Sequence, residues 1–184
     1  GPWKVSFPPN WGAPASITMD TLNSWTQSAD AGVKYFSGTA EYQTTFTVPQ
    51  ELVSSQTPVW LDLGRVCQFA EVSINGQALG VWWKAPFSGD VTSLVKAGSN
   101  TLSVKITNLW VNRLIGDEQE PADMEWNGKP IKAWPKWFVD HTPRPSKGRY
   151  TFTTWHHFEK NSPLMESGLI GPVVVRPGAR VAVP

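Results

Sequence analysis

A chain of 184 residues, 40% apolar and 17% charged, can bury the core of one good-sized domain and is too apolar to stay disordered. Its formal net charge is +1 and its Lys and Arg residues are scattered. That distribution argues against DNA or RNA, whose binding needs a basic face, and against an electrostatic membrane contact, and no apolar run is long enough to cross a bilayer. Cys67 is the single cysteine, which excludes an internal disulfide and a cysteine-based metal site; in a strand it serves as a small apolar residue.

The first 37 residues read as a lead-in of loop and short strands. Trp3-Lys4-Val5-Ser6-Phe7 alternates until Pro8-Pro9-Asn10 breaks it, and Thr21 to Asp30 is polar without period. From Gly38 the pattern sharpens. Ala40, Tyr42, Thr44, Phe46 and Val48 share one face of a strand that Pro49 ends, and Val59 to Leu63 is a second strand stopped at Gly64. Ala70, Val72 and Ile74 alternate into Asn75-Gly76, the strongest short hairpin signal, and Leu79 to Trp82 returns from it. Asp90 to Val95 fits a single helical turn capped by Asp90, and Lys96 to Asn100 a turn. Leu102, Val104 and Ile106 alternate in a further strand. Residues 109–148 are rich in Trp, Pro and charge, without periodicity, and a loop of that length is usually functional or a docking element. Arg149 to Trp155 and Val173 to Val175 read as strands, with Gly168 to Pro172 as loop between them. Many short strands with turn punctuation predict one all-β domain over 1–184, an antiparallel β-sandwich or jelly roll carrying the 109–148 segment as an insertion.

Gly38 to Tyr42, Phe46 and Pro49 resemble the opening strand of the sugar-binding jelly rolls of family 2-type glycosidases. So do Leu61 to Gly64, Ala70 to Val72, Asn75-Gly76, Leu79-Gly80, Pro86-Phe87, Asp90 to Thr92 and Gly98 to Leu102. These domains share the galactose-binding-like fold. A narrower stretch, Thr107 to Asp117, resembles the C-terminal β-sandwich of α-L-rhamnosidase-like enzymes of glycoside hydrolase family 106, and Arg149 to Trp155 and Ser167 to Val173 fit the same pattern. The resemblance implies a non-catalytic accessory domain of a secreted or periplasmic, polysaccharide-degrading enzyme whose catalysis resides in a separate barrel. Its partners are then an oligo- or polysaccharide and the catalytic domain in cis.

Eleven Trp accompany eight Phe and three Tyr, about twice the indoles that a sandwich core accommodates. The surplus requires a surface role. Trp126, Trp134 and Trp137 lie in the aperiodic segment, with Pro130 and Pro135 stiffening the backbone. Rigid loop tryptophans suit pyranose stacking, and equally a cluster beneath the loop or a face docked on a barrel. Trp82 and Trp83 are neighbours, so on a strand they point to opposite faces and one must find solvent, a loop or a ligand. Trp60 and Trp110 read as core or sheet-edge residues. Asn112, Arg113 and Asp117 are candidate polar contacts to sugar, since a guanidinium fork can grip vicinal hydroxyls; the alternative is an Arg113–Asp117 ion pair that pins the loop.

Glycosidases use paired carboxylates, and Asp117, Glu118, Glu120, Asp123 and Glu125 cluster in this segment, but nothing sets their spacing and such acids are usually solvated. The adjacent His156 and His157 diverge on a strand and cannot easily share one ion. No cofactor is called for. A structural calcium ion, frequent in folds of this class, has no loop signature here.

Overall fold

The computed structural model describes residues 2–54 and 57–178. The lead-in supplies β1 (Trp3–Ser6), β2 (Ser16–Met19), a 3-10 turn (Trp25–Gln27) and α1 (Ala31–Lys34). The central stretch holds β3 (Thr39–Val48), α2 (Gln50–Ser54), β4 (Val59–Asp62), β5 (Arg65–Cys67), β6 (Phe69–Ile74), β7 (Gln77–Trp82), β8 (Ser88–Asp90) and β9 (Gly98–Thr107). After α3 (Val111–Asp117) and α4 (Lys136–Val139), the chain closes with β10 (Gly168–Gly171) and β11 (Val174–Pro177). The strands form an antiparallel six-stranded sheet, in the order β2-β1-β3-β9-β6-β7, and two smaller sheets, β11-β4-β8 and β10-β5.

Alternation builds the larger sheet. β3 and β9 pair without interruption from Thr39 opposite Thr107 to Val48 opposite Gly98. Their inward residues, among them Ala40, Tyr42, Leu102, Val104 and Ile106, meet Val59, Leu61 and Leu63 from the smaller sheet side in a single core. The β6–β7 hairpin turns on Asn75 and Gly76, both at positive φ, as a primed turn requires. Asn75 does more than turn the chain: its Nδ2 donates to Leu94 O and Asn100 Oδ1, and its Oδ1 accepts from Thr101 N. Asp90 caps the turn after β8 as expected, accepting from Thr92 N at 2.8 Å.

Three local expectations fail for stated reasons. Arg149 to Trp155 is not a strand, because the amides of Tyr150 and Thr151 donate to the Asp117 carboxylate instead of a neighbouring strand. Gly168 to Gly171 is a strand, not a loop: it pairs with β5, and Leu169 N donates to the buried Tyr42 hydroxyl at 3.2 Å. The 109–148 segment opens with a helix, α3, whose Asn112, Arg113, Ile115 and Asp117 are buried. Among the described residues no helix is long and apolar enough to cross a membrane.

Candidate functional site

Helix α3 anchors the long excursion to the sandwich. Asn112 Nδ2 donates to Met165 O at 2.7 Å, and Met165 N donates back to Asn112 Oδ1 at 2.8 Å. Arg113 Nε donates to Asp117 Oδ1 at 2.9 Å, and the guanidinium lies 4.9 Å from the centre of the Tyr150 ring. Asp117 Oδ2 accepts from Tyr150 N, Thr151 N and Thr151 Oγ1. Asn112, Arg113 and Asp117 are 2%, 5% and 2% exposed. The expectation that they contact sugar is therefore corrected: their polar atoms are consumed inside the protein, and the ion-pair alternative describes the geometry.

Two of the neighbouring acids, Asp123 and Glu118, are likewise paired and largely covered. Asp123 accepts from Arg144 Nε at 2.5 Å and from Ser146 Oγ at 2.7 Å, with its side chain almost wholly covered. Burial works to raise its pKa, but these hydrogen bonds and the Arg144 charge outweigh burial and hold it below the ordinary value. Glu118 pairs with Arg149, whose Nε donates to Pro121 O and Nη2 to Glu120 O. Glu125 remains in solvent with Lys132 at 2.6 Å, and that cation lowers its pKa. Two arginines in the next stretch of chain, Arg144 and Arg149, thus neutralise carboxylates that spacing alone leaves unplaced. Their partners were illegible because 21 and 31 residues separate them.

This polar frame carries aromatic rings. Of the eleven Trp, Trp3 and Trp25 alone are buried in the core. Trp137 is half-buried, its Nε1 donating to Asp123 O at 3.1 Å and Arg144 lying 5.3 Å from its ring centre. Phe138 and Phe152, which sequence reasoning missed, stack at 4.9 Å, and Trp134 stacks on Phe138 at 5.2 Å. Trp134 nevertheless stays 54% exposed. Trp134 and Trp137 wall an open groove of about 780 Å³ that Pro143 and Pro145 also line, with Glu125, Lys132, Lys136 and Thr142 supplying polar groups.

The remaining tryptophans lie apart from this groove. Trp126 stacks on His156 at 5.1 Å and faces a much smaller hollow that includes Glu118 and Arg149. His156 Nε2 is buried 3.3 Å from Glu118 Oε2 without hydrogen-bond geometry. Trp82 turns against the core, whereas Trp83, one residue past the edge strand β7, is 64% exposed with Lys84 Nζ 5.3 Å from its ring centre. Trp60 and Trp110 are surface residues: Trp60 sits on the outer side of β4, and Trp110 begins α3 with its ring edge-on to Trp11. Among the described residues no three His, Cys, Asp or Glu side chains gather where they could hold a metal ion.

A six-stranded antiparallel sheet closed by two smaller sheets over one core, with its longest excursion at one end, defines a galactose-binding-like all-β domain. Residues 23–144 match the glycosyl hydrolase 2 galactose-binding domain-like family, and the chain belongs to that family. It is 49% identical over 175 residues to a putative beta-glucuronidase of Formosa agariphila, covering 95% of this chain and 15% of that protein. Among solved structures, a rhamnosidase from Novosphingobium sp. PP1Y is similar at 40% identity and a TM-score of 0.75, over 95% of this chain and 14% of that one. A beta-glucuronidase of Ruminococcus gnavus matches 59% of this chain and 20% of its own at 27% identity and a TM-score of 0.51. The chain therefore spans a small part of each of these relatives.

Proposed function

We propose that this domain is a non-catalytic carbohydrate-binding module of a larger, secreted or periplasmic glycoside hydrolase, and that it holds an oligo- or polysaccharide in the Trp134–Trp137 groove. The observation that carries the reading is the Trp134 ring: stiffly supported by Phe138, yet more than half exposed beside polar side chains. A flat apolar ring held in place offers a pyranose C–H face a contact that costs little conformational entropy. An open site of this kind gives roughly micromolar to millimolar affinity. The finer likeness to family 106 α-L-rhamnosidase-like enzymes is supported by the 40% identity to the Novosphingobium rhamnosidase.

A second reading, an accessory domain that buttresses a catalytic barrel in cis, is favoured by one specific feature. Phe69, Val81 and Trp83 are all exposed at the β6–β7 edge, away from the groove, and exposed apolar residues of this size suit a domain interface. The two roles are compatible on one domain.

Affinity gel electrophoresis against pectins, xylans and rhamnose-containing glycans separates them. Retardation by at least one polysaccharide, lost in a folded Trp134→Ala variant, is the expected result. Silence across the panel would overturn sugar binding and leave the buttress role.

A further inference from the structure

The charges around the groove are not all paired. Its lining contains two carboxylates, Asp123 and Glu125, and two ammonium groups, Lys132 and Lys136. Asp123 is taken from behind by Arg144 and Ser146, and Glu125 by Lys132. Lys136 has no ion-pair partner among the described residues, which leaves its ammonium group the one charge of the lining without an ion-pair contact. Lys136 follows Trp134, the stacking residue, by two positions. Trp134 and Lys136 flank Pro135, which is buried and extended (φ −61°, ψ 142°), so the two exposed side chains that line the groove are separated by about 6 Å of chain. The four-carbon stem of Lys136 can carry its ammonium group across that span. Neither side chain serves the core, since both are exposed.

We infer that the groove selects an acidic glycan, one whose pyranose stacks on Trp134 while its carboxylate or sulfate ester pairs with Lys136. This rests on the carbohydrate-binding reading above and adds to it the class of sugar.

The test uses two matched pairs of probes: polygalacturonate with its carboxyl-reduced counterpart, and a sulfated galactan with its desulfated counterpart. In low-salt titration calorimetry the acidic member of at least one pair binds up to about fivefold more tightly, as an exposed ion pair allows, and the preference shrinks as salt rises. The pair that shows the preference identifies the anion as carboxylate or sulfate. Lys136→Ala abolishes the preference, so that the acidic and neutral members of the pair bind equally, whereas Trp134→Ala removes binding of both. Equal affinities within both pairs, or a Lys136→Ala loss shared by neutral and acidic probes, would overturn the charge selection while the groove reading stands. Absence of binding to all four probes would overturn the charge selection, and together with silence across the affinity-gel panel it would overturn the carbohydrate-binding reading as well.

Discussion

Arg113 and Asp117 form an ion pair inside the protein, one helical turn apart on α3, with the guanidinium Nε donating to Oδ1 at 2.9 Å. The other carboxylate oxygen takes two backbone amides and a hydroxyl from Tyr150 and Thr151. One carboxylate thus ties α3 to the Tyr150–Thr151 segment of the excursion on which the aromatic groove is built.

Removing that carboxylate strands a buried cation and three donors. Asp117→Ala is expected to lower stability by about 3–5 kcal/mol, read from urea unfolding midpoints. Hydrogen exchange at the Tyr150 and Thr151 amides should accelerate sharply while the β3 and β9 amides stay protected. A loss below about 1 kcal/mol would contradict this role.

The tryptophans divide into two energetic classes. Trp25 is 1% exposed, stacks on Tyr42 and meets Phe36 edge-on, so Trp25→Ala should cost about 3–5 kcal/mol. Trp134→Ala removes an exposed ring that stacks on Phe138 and Phe152, and should cost about 1 kcal/mol or less by the same unfolding measurement. Similar losses at both positions would mean that Trp134 is a structural residue.

Acid should loosen the excursion through Asp123. Its pKa is held below the ordinary value of 3.8, so its ionised form is the one favoured in the folded protein. The stability it contributes is present above that value and is lost as pH falls through the lowered one. Between pH 5 and 2, a range set roughly by that window, thermal midpoints should drop more steeply for the wild type than for Asp123→Asn. Parallel curves for the two proteins would remove Asp123 from the acid response.

Gly64 tests the junction of the smaller sheets. It has φ +64°, and a Cβ there would overlap the Gly171 carbonyl group at the end of β10. Gly64→Ala combines left-handed strain with a backbone clash, so a loss of about 1–3 kcal/mol is expected in thermal or chemical unfolding.

The sheet was readable because its signals are local. The alternation at Ala40, Tyr42 and Phe46, at Ala70 to Ile74 and at Leu102 to Ile106 requires knowledge only of neighbours two residues away, and Asn75-Gly76 names its own turn. The excess of Trp also announced a surface role, and Trp134 and Trp137 do meet in one groove. What composition could not supply was pairing over distance: Asp123 with Arg144, Glu118 with Arg149, Phe138 with Phe152. The Arg113–Asp117 pair is four residues apart and was legible, whereas the further partners that bury Asn112, Arg113 and Asp117, namely Met165, Tyr150 and Thr151, lie more than 30 residues away. β10 escaped for another reason. Four residues bounded by Gly168 and Gly171 carry no period, and only tertiary contact with Tyr42 and β5 makes them a strand.

The most direct measurement is the tryptophan emission of the domain during titration with a polysaccharide that retards it in affinity gels, compared among the wild type, Trp134→Ala and Trp83→Ala. A saturable change in the wild type and in Trp83→Ala, absent from a folded Trp134→Ala protein, is the predicted result. A saturable change of undiminished affinity in Trp134→Ala would contradict the placement of sugar in this groove.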